Sequence, residues 1–267
     1  MKRLLKRLAD RLMSSATTLR GLERIVHRAQ VELGIGAGTS VGTSGETGLF
    51  RELRRKKAGA RELCLFDVGA NRGEFLDLAL SHLKPIALSI HCFEPSAATF
   101  KMLADGRQVD TRINLNQFGL GKAKGEFTLY YDQPGSGLAS LTNRRLELYG
   151  MKFGLSERVQ IDTLDGYCKE RGIEHIDLLK MDVEGHELDV LQGGERMLAG
   201  SVDMVSFEFG CCNIDTRTYV QDFYRFFQQR GMQLYRITSS GFLYPIPKYS
   251  EHLEQFRTTN FLAMRGV

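Results

Sequence analysis

The chain has 267 residues, 42% hydrophobic and 25% charged, which suits one large soluble domain or a domain with a small extension. No apolar run approaches the roughly eighteen residues of a membrane span, and the basic amino terminus lacks the apolar core and cleavage site of a signal peptide. The net charge of +4 is uneven: residues 1–60 carry 13 Lys and Arg against 5 Asp and Glu, a net +8, and the −4 left on the remainder argues against nucleic acid as a partner.

In chain order, residues 1 to about 33 read as helix. Leu5, Leu8 and Leu12 recur at helical spacing among Lys2, Arg3, Lys6, Arg7 and Arg11, and Leu19, Leu22, Ile25 and Val26 follow. Three partners suit such a basic amphipathic helix: an anionic membrane surface touched peripherally, the body of the protein, or a second copy in a homo-oligomer. Gly34 to Gly48 is dense in glycine and small hydroxyl residues, as in a linker or a lid over a ligand, and Leu49 to Lys57 makes a short basic helix. The expected division is an extension over 1–58 and a main domain over 59–267.

The main domain opens with Leu63-Cys-Leu-Phe-Asp-Val-Gly-Ala-Asn-Arg-Gly73. Leu63 to Phe66 have the unbroken apolar character of a parallel strand covered on both faces. Asp67, Gly69 and Gly73 make the turn, and Phe75, Leu76, Ala79, Leu80 and Leu83 begin a helix. Strand, glycine turn and helix form the first crossover of a doubly wound sheet, where ligands bind at the carboxyl ends of the strands. A dinucleotide site would need glycine where Asn71 stands, and Asp67 would repel a pyrophosphate. Asp67 instead suits a cationic amino-acid group. The second strand, 88–93, runs into Glu94-Pro95, a carboxylate placed for both hydroxyls of a ribose. Adenosine joined to an amino acid without phosphates describes S-adenosylmethionine. The plainer reading, a helix-capping Asp67 and turn-forming glycines, leaves Glu94 unexplained.

A helix over 96–105 follows, then a third strand, 112–118, ending in Gly119-Leu120-Gly121, which such a sheet places beside the adenine. Two short strands, 125–131 and 158–161, bracket Gln133 to Thr142 and a polar helical stretch to about 150, in the position of a substrate-facing flap. The fourth strand is 176–182 with a helix over 187–198, and the fifth is 202–209. The aromatic residues of helix 216–230 read as core, and strands 233–238 and 260–264 close the sheet as an antiparallel pair. Cys64, Cys92, Cys168, Cys211 and Cys212 show no Cys-x-x-Cys spacing and read as reduced thiols of a cytoplasmic protein.

The second dense motif is Ile176-Asp-Leu-Leu-Lys-Met-Asp-Val-Glu-Gly-His-Glu187, with Glu208-Phe-Gly210 closing the fifth strand. If these strands are neighbours, Asp182 and Glu208 face one crevice beside the sulfonium. Methylating a hydroxyl requires removal of its proton, a task open to His186, to a desolvated carboxylate, or to a divalent cation such as magnesium on Asp182 and Glu208. Glu184 and Glu187 also have an ordinary reading as first-turn acids on a helix dipole, preferred for Glu187.

Phe66-Asp-Val-Gly-Ala-Asn-Arg-Gly73, Phe93-Glu-Pro95, the 176–187 block with Val190-Leu-Gln-Gly193, and Thr259-Asn260 together resemble the FkbM family of S-adenosylmethionine-dependent methyltransferases, over about 63–264. The resemblance implies a class I methyltransferase fold, Rossmann-like and mostly parallel, and O-methylation of a sugar or another small metabolite. Gly137-Leu-Ala-Ser-Leu141 and Asn213-Ile-Asp-Thr-Arg217 resemble members of surface-polysaccharide assembly, although Cys211-Cys212 departs from the Gly-Cys pair more usual there. Against an oxidoreductase stands the missing middle glycine. Asp182-Val-Glu-Gly185 replaces the Asn/Asp-Pro-Pro-aromatic motif of amino-type nucleic-acid methyltransferases. A catalytically silent cofactor-binding scaffold is the rival from another class.

Overall fold

A computed structural model of the chain describes residues 15–37, 44–107 and 109–266. Positions 1–14 of the basic helix and 38–43 of the glycine-rich stretch thus lie outside the described residues. Two helices, α1 (Ala16–Glu32) and α2 (Thr47–Lys56), precede the sheet. The strands are β1 (Glu62–Val68), β2 (Ala87–Phe93), β3 (Ile113–Asn116), β4 (Gly119–Leu120), β5 (Gly125–Tyr131), β6 (Leu155–Asp162), β7 (Ile176–Met181), β8 (Val202–Phe209), β9 (Met232–Ile237), β10 (Leu243–Ile246) and β11 (Thr259–Arg265). Between them run α3 (Glu74–His82), α4 (Ala97–Ala104), α5 (Leu164–Arg171), α6 (Glu187–Gln192), α7 (Glu195–Gly200), α8 (Cys212–Thr216) and α9 (Val220–Gln228).

Eight strands form the central sheet in the order β10-β9-β11-β8-β7-β1-β2-β3. β3, β2, β1, β7 and β8 are parallel, and β11 enters antiparallel between β8 and β9. This is the doubly wound, mostly parallel sheet with an antiparallel closing strand that the sequence predicts. Its strand order reverses between β1 and β7, and a crevice opens at their carboxyl ends. All six residues of β7, Asp177 and Lys180 included, are buried, as expected of a strand covered on both faces. On one face Phe207 stacks on Phe223 and Phe227 of α9 at 4.6 and 5.6 Å between ring centroids. The other face is covered by Leu49, Phe50 and Leu53 of α2 and by α3.

Four elements differ from the sequence reading. The third strand stops at Asn116, and Gly119–Leu120 instead joins β5 and β6 in a separate three-stranded sheet. The helix expected over 187–198 divides into α6 and α7, because the chain at Gly193 runs against the Gly121 carbonyl, 2.0 Å from where a Cβ would stand. The polar stretch to 150 holds only a turn of 3₁₀ helix, Glu147–Tyr149. β10 was hidden by Pro245, a residue that an edge strand tolerates.

The extension is tied to the amino-terminal ends of the central strands. Lys57 Nζ lies 2.7 Å from Asp177 Oδ1 on β7 and 2.5 Å from Asp203 Oδ2 on β8. Lys57→Met keeps the bulk and removes the ammonium shared by two carboxylates, leaving them His175 and the Cys64 amide, so it should cost about 2 kcal/mol. A urea-unfolding midpoint identical to that of the native chain would reduce this knot to a surface pair.

Candidate active site

The turns after β1 and β7 are fastened backbone to backbone. Asp182 N donates to Val68 O at 2.9 Å, and Gly69 N and Ala70 N both donate to Phe93 O at 3.0 Å. Gly69 has φ +81°, and a Cβ there would lie 1.9 Å from Asp182 O, so only glycine lets these turns meet. Three strand ends thereby border a first cavity open to solvent. Its polar wall holds Asn71, Glu94 and Asp182, and its apolar wall Pro95, Leu120, Leu129 and Ile161. Glu94 is 7% exposed, with Oε2 accepting from Asn71 N at 3.1 Å and Oε1 from Ser96 N at 2.9 Å. Burial pushes its pKa up to about 7 against those two donors. Each oxygen retains a lone pair for a ligand hydroxyl.

A second cavity, also open to solvent, adjoins the first and shares Gly69, Asn71, Gly137, Asp182 and Glu184 with it. Glu208 and Asn260, partners in the β8–β11 register, stand in its wall with Lys180, Thr258 and Glu46. Carboxylate oxygens of Asp182, Glu184 and Glu208 lie within 4.8 Å of one another. Crowding of like charge in a dry site favours protons: burial raises Glu184 to about 8, and burial followed by Asp182 raises Glu208 well above the carboxylate range. Glu46, just ahead of α2, is 6% exposed and accepts from Ser44 Oγ at 2.9 Å.

The flap between β5 and β6 is pinned to the turn after β7. Ser140 Oγ donates to Glu184 O at 2.9 Å, and buried Arg144 places Nη1 2.5 Å from Glu184 Oε2. His186 Nδ1 is 2.8 Å from Asp189 Oδ2, and its Nε2 is 3.0 Å from Thr142 Oγ1. The imidazole is thus held by a carboxylate on one side and turned to a flap hydroxyl on the other.

The model of the methyltransferase FkbM domain matches residues 67–234, more than half of the chain. The chain belongs to the FkbM methyltransferase family. It is 28% identical over 144 residues to the 2-O-methyltransferase NoeI of Sinorhizobium fredii (strain NBRC 101917 / NGR234), an alignment covering 50% of this chain and 58% of NoeI. It is 30% identical over 155 residues to methyltransferase sdnD of Sordaria araneosa, covering 48% and 59%. The chain thus spans less than two thirds of either relative. The crystal structure of a methyltransferase FkbM from Methylobacillus flagellatus KT is similar with a TM-score of 0.47 at 15% identity, over 82% of this chain and 51% of that one.

On this FkbM domain the residues singled out in the sequence fall into three groups. Gly69, Asn71, Glu94, Gly119, Leu120, Asp182 and His186 line the first cavity, and Asp182 and Glu208 meet in the second. Asp67, expected on the ligand, lines neither: its carboxylate is fully buried beneath the turn, 3.5 Å from Lys180 Nζ. Gly73 caps α3 with φ +88° and faces Leu103 and Arg107 instead. Glu187, read as a dipole acid, is 1% exposed, and its Oε1 accepts from Val183 N and Gly185 N. Glu46, Lys180, Arg72 and Thr258 are among the wall residues that the sequence reading leaves unassigned. The available signal was Lys180, a lysine inside a fully buried strand.

The raised acids set a pH dependence of stability. Glu94 and Glu187 at about 7 and Glu184 at about 8 hold protons more tightly folded than unfolded. Their contribution is therefore largest when they are protonated and is lost as pH rises from about 4.5 through 8. The ligand-free protein should melt at lower temperature at about pH 8 than at about pH 5.5, and Glu187→Gln should remove on the order of 2 kcal/mol of that slope. A slope unchanged by Glu187→Gln, followed by thermal unfolding across pH, would show that this carboxyl titrates normally.

Proposed function

We propose that the protein transfers a methyl group from S-adenosylmethionine to a hydroxyl oxygen of a small polar acceptor, a sugar or similar metabolite. The observation that carries this reading is the shared wall: Asp182 lines both cavities, so a ligand at the ends of β1 and β2 and one between β7 and β8 meet at one carboxylate. The first cavity suits the cofactor. Glu94 has acceptor capacity for a ribose diol, Leu120, Leu129, Ile161 and Pro95 offer apolar faces to a purine, and the turn at Gly69 and Asn71 is open to an amino-acid end. When bound, S-adenosylmethionine supplies an electrophilic methyl group on a sulfonium centre.

The chain itself must orient the acceptor, exclude water and take one proton. Asp182 is assigned the orienting and proton-accepting role. Glu208, kept protonated by burial, donates to a neighbouring acceptor oxygen. His186 acts as base only for an acceptor that displaces Thr142 from Nε2. The name of the relative NoeI, a 2-O-methyltransferase, supports oxygen as the receiving atom. A place in surface-polysaccharide assembly and a cytoplasmic site of action, from the flap motif and the unpaired cysteines, complete the reading. A second reading adds a divalent cation such as magnesium, favoured by the close oxygens of Asp182, Glu184 and Glu208, which would acidify the acceptor hydroxyl.

Glu94→Ala should weaken S-adenosylhomocysteine at least about tenfold by calorimetry. Asp182→Asn and Glu208→Ala should each cut turnover of labelled cofactor about a hundredfold on a panel of sugars and hydroxylated metabolites, with S-adenosylhomocysteine affinity within a few-fold of native. Near-native turnover in both would move the chemistry elsewhere. Loss of activity on chelation with recovery on magnesium selects the cation reading, whereas tight cofactor binding without turnover on any acceptor selects the silent scaffold.

A further inference from the structure

Among the described residues, the side-chain hydrogen bonds that tie α1 to the body lie at its foot. None of its 17 residues is buried. Arg257 Nη1 donates to Gln30 Oε1 at 2.7 Å, Arg257 Nη2 lies 3.0 Å from His27 Nδ1, and Gln30 Nε2 donates to Gln255 Oε1 at 3.1 Å. His27 and Gln30 therefore mark the side turned to the body. At about 100° per residue, Leu19, Leu22, Ile25, Val26, Ala29 and Leu33 fall in a stripe about 120° wide, centred roughly a third of a turn from that side. Leu19, Ile25, Val26 and Leu33 are 46%, 65%, 54% and 40% exposed. Arg20, Arg24 and Arg28 run along the opposite flank at four-residue intervals. Leu22 is half-buried, and the rest of the stripe stays exposed.

Charge decides between the two occupants other than the body. Residues 1–33 carry 8 Lys and Arg against 3 Asp and Glu, a net +5, while 34–267 carry 28 against 29, a net −1. Of that +5, +4 lies in residues 1–14, which precede α1 in the chain, and +1 in α1 itself. Two copies of this chain meeting through it would bring like charges together, and the stripe is broader than the two-position seam of a coiled coil. An anionic lipid surface complements both features. Among the described residues no helix is long and apolar enough to cross a membrane, so α1 on such a surface would lie along it.

We propose that α1 lies with its apolar stripe in the headgroup region of a membrane rich in anionic phospholipid and holds the domain there. The proposal is independent of the methyl-transfer reading. It is tested by sedimenting the full chain with phosphatidylcholine vesicles, with and without phosphatidylglycerol. Pelleting should require phosphatidylglycerol and weaken with salt. Leu22→Asp with Ile25→Asp should lower partitioning at least about tenfold, as should Arg20, Arg24 and Arg28 changed together to Gln, which preserves helix propensity. Because none of these residues is buried, all variants should keep the melting temperature of the body. The proposal is overturned by absence of pelleting, by equal pelleting of native chain and variants on both lipids, or by the apolar variant converting a dimer to a monomer without changing vesicle binding.

Discussion

The site rests on one buried ammonium. Lys180 stands in β7 beside Asp67 of β1, its register partner, and its Nζ lies 3.5 Å from both Asp67 Oδ1 and Asp182 Oδ2. Lys180 is 8% exposed and Asp67 is fully buried. Taking such charges out of water costs several kcal/mol apiece unless they compensate one another. Burial pulls the lysine pKa down, but Asp67 and Asp182 push it further up, and the ammonium also sits 5.6 Å from the centre of the Phe75 ring. The cation joins the two strands at the reversal of strand order and fixes the carboxylate that both cavities share.

Around this centre the chain accepts unusual backbone. Asn71 and Glu184 have φ of 45° and 52°, the left-handed region that non-glycine residues rarely enter. Both belong to the turns that line the two cavities. Each is held by neighbours: Asn71 N donates to Glu94, while Glu184 is gripped through its carbonyl by Ser140 and through its carboxylate by Arg144. Such conformations cost roughly 1–3 kcal/mol each and persist where surrounding contacts over-determine them. Here the contacts come from other parts of the site, so strain and geometry are set together.

Much of this was legible in the amino-acid sequence, for a definite reason. Parallel strands covered on both faces must be apolar throughout, so β1, β2, β7 and β8 stand out, and the polar residues that end them mark the ligand edge. The misreadings share the opposite cause. An aspartate at a strand end looks the same whether it faces a cavity or a neighbouring lysine, which is why Asp67 was placed on the ligand. Glu46 belongs to a stretch with the composition of a linker, and only the fold carries it into the second cavity. Arg144 sits in an irregular flap whose course depends on Glu184 and Asp215, partners far away in sequence.

The place of β11 governs the order in which the site comes into being. β8 and β9 precede it in the chain yet do not touch in the sheet, because β11 lies between them. Until it inserts, each presents an unpaired edge, the most association-prone surface a growing chain can offer. Thr258 and Asn260, in the wall facing Glu208, arrive with the same strand. The first cavity is bounded by residues no later than His186, whereas the second is finished by this late, long-range pairing. The first cavity can thus be assembled while the second is still open water.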